Sequence, residues 1–272
     1  MKVSLIIAVY KDTQALDLII KSLYTQTYKN FEVVICEDGE SKQMKEYINN
    51  IKDLDIIHTT QEDMGVRKSQ SQNNGIRNSS GEYLIFIDGD CVLFHNFIEN
   101  HIKLSSEKII VSGRRVNLGP RYSSLLRDHK ISPLNLENSF FKKYLDISND
   151  AKKEKHSEEG FLIKPNGIIH NIIKFFKKSE PSLLGCNFSC YKKAMLDING
   201  FDEELGNAAV AGDTDLEWRF KALDYKFISG KFITNQFHLY HERKAEDYNR
   251  GMDEKMQENK KANRFRCEQG IY

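Results

Sequence analysis

Tyr83-Leu84-Ile85-Phe86-Ile87-Asp88-Gly89-Asp90 is an unbroken apolar run that ends in two carboxylates separated by one glycine. A run of this length closed by Asp and Gly reads as a strand buried on both faces, the kind found in parallel sheets covered by helices. Open α/β sheets bind their ligands beyond the carboxyl ends of such strands. Asp88 and Asp90 thus offer oxygen ligands where Mg²⁺ or Mn²⁺ would meet the phosphates of a substrate. The rival reading is a plain polar turn, which Asp and Gly favour for local backbone reasons.

The sequence on either side repeats the pattern. Residues 3–9 are a second apolar run, and Asp12 stands where it can cap a helix carrying Leu16, Ile19, Ile20 and Leu23 at helical spacing. Strands are predicted at 31–36, which leads into Glu37-Asp38-Gly39, and at 55–58, with a polar helix at 65–78 around Gly75. Further on, the sequence predicts helices at 97–105, 192–198 and 213–223, and strands at 109–113, 184–191, 226–228 and 232–239. Periodicity weakens between 118 and 181, and the tail at 250–266 is polar and helix-prone with no sign of what it packs against. No G-x-G-x-x-G follows the first strand, which argues against a dehydrogenase-type dinucleotide fold. The predicted class is α/β, a Rossmann-like, mixed but mostly parallel sheet with helices on both faces.

Over 272 residues, 40 Lys and Arg are balanced by 39 Asp and Glu, so no nucleic-acid partner is expected. The five cysteines include no C-x-x-C pair, and reduced thiols in a cytoplasmic setting are the expectation. Met1-Lys2 and the apolar run after it imitate a secretory leader, but the run is short and Lys11-Asp12 follow at once, so a first strand is preferred. No stretch approaches the roughly 18–20 apolar residues of a membrane span. Residues 168–178 place Ile169, Ile172, Ile173 and Phe176 on one helical face beside Lys174, Lys177 and Lys178. A helix docked on the core is preferred there; the alternative is one lying on an anionic membrane or lipid-linked substrate at the inner face of the cell membrane.

Five motifs in order, Ser4-Leu5-Ile6-Ile7-Ala8-Val9-Tyr10, Glu37-Asp38-Gly39, Asp88-Gly89-Asp90, Asn199-Gly200-Phe201-Asp202-Glu203 and Gly212-Asp213-Thr214-Asp215-Leu216, resemble the inverting family 2 glycosyltransferases of the GT-A fold. The resemblance runs from residue 3 to 242 and weakens over 118–181. It implies one catalytic domain, 1–242: a nucleotide-sugar half at 1–116, a variable insertion at 117–181 facing acceptor or membrane, and an acceptor and catalytic half at 182–242. A helical tail at 243–272 would follow.

The resemblance also implies roles. Asp38 would accept the uracil N–H, as an acceptor-only carboxylate can, with Ala8 and Tyr10 lining base and ribose. Asp88-Gly89-Asp90 would hold Mn²⁺ or Mg²⁺ against the donor diphosphate, with Arg67 and Lys68 adding charge-assisted hydrogen bonds. A late-strand histidine would complete the metal shell, His241 in preference to His238. Asp213 would be the base that takes the acceptor proton, with Asp215 the second choice, although Gly212 stands where the family usually has glutamate. From the residues alone, Arg67 and Lys68 read by preference as solvated helix surface, and Tyr10 and Trp218 also read as core, Asp38 as a turn residue, His241 as a strand histidine and Asp213 as a helix N-cap.

The implied activity is metal-dependent, inverting transfer of a hexose from a nucleotide sugar, UDP-linked by expectation, to a saccharide or lipid-linked saccharide in surface polysaccharide or lipopolysaccharide synthesis. Two alternatives stand beside it. A sugar nucleotidyltransferase would carry a Gly-rich basic loop where this chain has Tyr10-Lys11-Asp12-Thr13, and a non-catalytic binding module is kept open by Gly212.

Overall fold

β1 (Val3–Val9) is apolar on both sides because both sides are covered: Val3, Leu5, Ile7 and Val9 enter one core, and Ile6 enters another on the opposite face. Asp12 opens α1 (Thr13–Tyr24) by accepting from the Ala15 amide, and α1 packs on the first core through Leu16, Ile19, Ile20 and Leu23. Two further strand–helix units and a strand follow: β2 (Phe31–Glu37), α2 (Lys42–Asn49), β3 (Ile56–Thr59), α3 (Lys68–Asn78) and β4 (Tyr83–Asp88). This is a computed structural model, and it describes residues 1–176, 179–205, 209–242 and 251–272.

After β4 the chain makes β5 (Cys91–Leu93), α4 (Phe97–Leu104), β6 (Ile109–Ser112), β7 (Val116–Asn117), α5 (Pro120–Arg127), α6 (Pro133–Asp150) and α7 (Ile168–Phe176). It then returns as β8 (Asn187–Tyr191), α8 (Lys192–Asp197), α9 (Ala209–Ala222), β9 (Lys226–Ser229), β10 (Gln236–His238) and α10 (Gly251–Lys261). The main sheet runs β3-β2-β1-β4-β8-β6-β9. Only β8 is antiparallel to its neighbours, β4 and β6, which gives the mixed, mostly parallel sheet expected from the sequence.

Three features depart from the sequence reading. A second, three-stranded sheet, β5-β10-β7, is not expected from it: β10 falls inside the strand predicted at 232–239, but β5 and β7, of three and two residues, are too short to leave a periodic signal. The weakly patterned insertion holds the 18-residue α6, which buries only Pro133, Leu136, Glu137, Phe140 and Ile147, so its apolar stripe is sparse. In α7 the preferred core-docked reading is overturned, because Ile168, Ile169, Ile172, Ile173, Phe175 and Phe176 are all exposed.

The C-terminal segment, whose partner the sequence did not reveal, packs on the second core. Ile271 is buried there, its amide donates to the Asn199 carbonyl, and the Asn199 side chain accepts from Tyr272 N. Asn73 clamps the same turn from below, donating to the Phe201 carbonyl and accepting the Phe201 amide. The Asn199–Asp202 motif is therefore a docking turn for the chain end.

Candidate active site

The parallel register sets the first half of the site. Ala8 of β1 lies opposite Asp88 of β4, so the ends of both strands open on the same crevice. A side chain at Gly89 would approach the Ala8 carbonyl to 2.9 Å, which is why glycine separates the two carboxylates. Tyr10, just past β1, is exposed, which excludes the core reading; its hydroxyl faces Asp63 at 3.4 Å and receives Lys11 Nζ at 2.8 Å. Asp38, past β2, is buried and accepts from Gln61 Nε2 at 2.7 Å and from the Arg67 amide at 2.6 Å. It therefore ties the loop before α3 rather than forming a local turn, and each oxygen keeps a further lone pair.

Arg67 and Lys68 diverge. The Arg67 guanidinium turns back to the Glu62 carbonyl, whereas Lys68 ion-pairs with Asp88. Burial opposes the charge on Lys68, yet Asp88 outweighs it and raises the ammonium above its ordinary range. Asp88, expected to share a metal with Asp90, is thus engaged by a cation of the chain itself.

Asp90 faces the small sheet. His238 pairs with Cys91 across β10 and β5, and the Leu239 amide donates to the Asp90 carbonyl at 3.0 Å, which fixes the two strands against each other. This places His238 Nε2 at 3.3 Å and His241 Nε2 at 3.5 Å from Asp90 Oδ2. The ring centroids of the two histidines are 5.3 Å apart. The sequence posed His238 and His241 as alternatives; the structure brings both to one carboxylate. Burial disfavours ionised Asp90, but the hydrogen bond from His238 and the field of both imidazoles hold its carboxyl well below the usual range.

One ligand atom from each of Asp90, His238 and His241 can be chosen so that all lie within 4.8 Å of one another. Two imidazoles and a carboxylate fit a manganese-like ion, and suit Mg²⁺ less because Mg²⁺ prefers all-oxygen shells. A second group, His156, Glu158 and Glu159, also meets the spacing, but Lys231 sits 3.0 Å from Glu159 and already supplies the positive charge.

Asp213 completes the site from the other half of the chain. It lies inside α9, four residues past the helix start, so it is not the N-cap. Its Oδ2 accepts from the Gly185 amide at 2.8 Å, and a Cβ at Gly185 would come within 2.0 Å of Oδ1. Only glycine leaves that carboxylate in place. Burial raises the Asp213 carboxyl above the ordinary range against the opposing pull of the Gly185 amide, Lys68 and Arg115. By contrast, Asp215 is paired with Arg219 at 2.9 Å, both side chains at most 2% exposed, and also accepts Trp218 Nε1 at 3.0 Å.

Sequence reasoning missed Arg115 and Gly185. The Arg115 guanidinium lies in the field of Asp88 and Asp90 and donates to Cys186 Sγ at 3.5 Å. Its signal was faint: an arginine just before a two-residue strand. All five cysteines are free and buried.

The profile of Glycosyl transferase family 2 matches residues 4–161, more than half of the chain. The chain belongs to this family. Among curated relatives, it is 32% identical over 124 residues to glycosyltransferase GlyA of Streptococcus pneumoniae serotype 4, covering 45% of this chain and 17% of that one. It is likewise 32% identical over 111 residues to the Escherichia coli UDP-Glc:alpha-D-GlcNAc-diphosphoundecaprenol beta-1,3-glucosyltransferase WfaP, covering 40% and 44%. The match thus spans less than half the length of these relatives. In structure, the chain resembles the mannosyltransferase PcManGT of Pyrobaculum calidifontis, solved with GDP-Man and Mn²⁺, with a TM-score of 0.57 at 16% identity over 89% of this chain and 57% of that one. It also resembles S. aureus TarS 1–349 in complex with UDP, with a TM-score of 0.51 at 16% identity over 87% and 60%. The fold of this family 2 chain is GT-A, as its motifs implied. Among the described residues, no helix is long and apolar enough to cross a membrane.

Proposed function

We propose that this family 2 chain is a metal-dependent, inverting hexosyltransferase that moves a sugar from a nucleotide donor, UDP-linked by preference, to a saccharide or lipid-linked saccharide. The observation that carries the reading is a metal-capable trio, Asp90, His238 and His241, next to the Lys68–Asp88 pair, with Asp213, a buried carboxylate bonded to the Gly185 amide and with no ion pair among the described residues, close enough to feel Lys68, Asp88 and Arg115. Asp38, Ala8 and Tyr10 flank the crevice where base and ribose would sit, with Arg67 contributing its backbone amide to Asp38 rather than its guanidinium to phosphate.

Asp90, His238 and His241 would hold the ion, which when bound supplies Lewis-acid neutralisation of the departing diphosphate. Arg115 and Lys68 add fixed positive charge on the same leaving group, Lys68 without abandoning Asp88. In a single displacement the acceptor oxygen bonds to the anomeric carbon as the sugar–phosphate bond breaks. The acceptor proton passes to Asp213, whose burial makes it a stronger base than a solvated carboxylate. Gly185 positions that base by leaving room for it. At Gly212 an added Cβ meets nothing within 4 Å among the described residues, so the place of the family's glutamate is open beside the base.

The WfaP name joins UDP-glucose to a diphosphoundecaprenol-linked acceptor, and a relative from Borreliella burgdorferi is named a cholesterol galactosyltransferase; both names favour a lipid-borne acceptor, and we place its handling at the inner membrane face in surface polysaccharide synthesis. The test is nucleotide release from UDP-, GDP- and TDP-sugars with candidate acceptors, in Mn²⁺ and then in chelator. Metal-dependent release of nucleoside diphosphate with acceptor glycosylation is expected. Pyrophosphate release would identify a nucleotidyltransferase, and donor binding without turnover on any acceptor would identify a binding module.

A further inference from the structure

Nine of the fourteen large apolar side chains exposed among the described residues fall between 141 and 176. Phe141 and Leu145 stand out from α6 at 81% and 76% exposure, and Phe161 links them to Leu162 by packing 6.1 Å from Phe141 and 4.8 Å from Tyr144. The other six are all on α7, including Ile168, Phe175 and Phe176 at 76–81% exposure. At about 100° per residue, their positions 168, 169, 172, 173, 175 and 176 share an arc of roughly 160°, and positions 170, 171 and 174 fill the remainder. This is a complete separation of apolar and polar positions on a helix whose apolar side chains are 39–81% exposed among the described residues.

We infer that the 141–176 face docks the chain on an anionic lipid bilayer, with α7 lying in the plane of the headgroups. Charge selects this occupant. Residues 161–178 contain Lys164, Lys174, Lys177 and Lys178 and no Asp or Glu. A short Phe- and Ile-rich helix in a stretch of sequence whose only charged side chains are lysines is the composition of an interfacial anchor. Pairing this face with itself in a second copy would set like charges against each other. At about 1.5 Å per residue, the nine residues of α7 extend roughly 14 Å, half a bilayer's hydrocarbon thickness, so the helix lies on the membrane and does not cross it. The purpose of such docking rests on the lipid-linked acceptor proposed above, whereas the docking itself is read without turnover.

The full chain is mixed with phosphatidylcholine vesicles, with and without phosphatidylglycerol, and sedimented. Binding to the phosphatidylglycerol vesicles is expected, weakened by salt. Ile172→Asp with Phe175→Asp should cut the bound fraction at least about ten-fold at unchanged melting temperature, because both side chains are exposed. Lys164→Glu should weaken binding to the anionic vesicles alone. No binding by the wild-type chain, equal binding of neutral and anionic vesicles, or equal binding by the double variant would overturn the inference. So would sedimentation equilibrium showing a dimer that the double variant dissociates, which would assign the face to a second copy.

Discussion

Asp213 and Asp215 stand two residues apart on α9, about 200° around the helix, and occupy opposite environments. Asp215 points inward, where Arg219 and Trp218 answer its charge. Asp213 points toward the crevice, where burial raises its carboxyl and its described hydrogen bond comes from the Gly185 amide. Burial raises both carboxyls; the bonded Arg219 and Trp218 occupy Asp215 structurally, whereas Asp213 faces the crevice, where it can take a proton. The turn after β4 shows the same division, Asp88 answered by Lys68 and Asp90 facing two histidines that a metal can share.

The largest separation should come from Asp213→Asn. Transfer should fall by about 10²–10⁴-fold with donor and Mn²⁺ binding retained, since shape persists and proton acceptance is lost. Wild-type rates in this variant would erase the distinction between the two aspartates. Asp90→Asn or His238→Ala should weaken Mn²⁺ binding by at least about 10–100-fold in a metal titration, leaving Asp213 variants unaffected in the same assay. If His238→Ala binds metal normally while Asp90→Asn does not, the trio reduces to the carboxylate.

Asp215→Asn should instead cost about 3–5 kcal/mol in denaturant unfolding, because Arg219 is left buried without its partner. Its turnover per folded molecule should remain close to wild type. A smaller effect concerns pH. The folded Asp213 carboxyl lies above its unfolded value of about 3.9, so its contribution to stability is fully present below that value and is lost as pH rises through the folded value. Asp213→Asn should therefore melt higher than wild type at pH 7, with the gap closing in acid. The acid limb of kcat/KM should reflect the same raised carboxyl, activity rising with pH above the ordinary Asp range. The smallest expected change is Gly212→Ala, which should stabilise the helix by up to about 1 kcal/mol, since the added methyl meets open space.

The sheet was legible because burial on both faces forces continuous apolar runs, and β1, β2 and β4 each show one. Asp88, Asp90 and Asp38 were legible because they end those runs. Asp213 was recognisable only through the family pattern; its burial and its bond to Gly185 depend on a contact across 28 residues of sequence that no local signal encodes. The joint arrival of His238 and His241 at Asp90 depends on the pairing of β10, which falls inside the strand predicted at 232–239, with β5, whose three residues carry too little pattern to place. α7 misled for a different reason: amphipathic spacing is the same whether the apolar face meets a core or a membrane, and only its exposure distinguishes the two.

The metal trio beside a donor diphosphate is tested most directly by pulsed electron paramagnetic resonance of the full chain with Mn²⁺ and UDP. Nitrogen couplings from two imidazoles and phosphorus coupling from the diphosphate on the same ion are expected, with the nitrogen couplings halved in His238→Ala. Phosphorus coupling with no imidazole nitrogen, the spectrum of Mn²⁺ held by UDP alone, would contradict it.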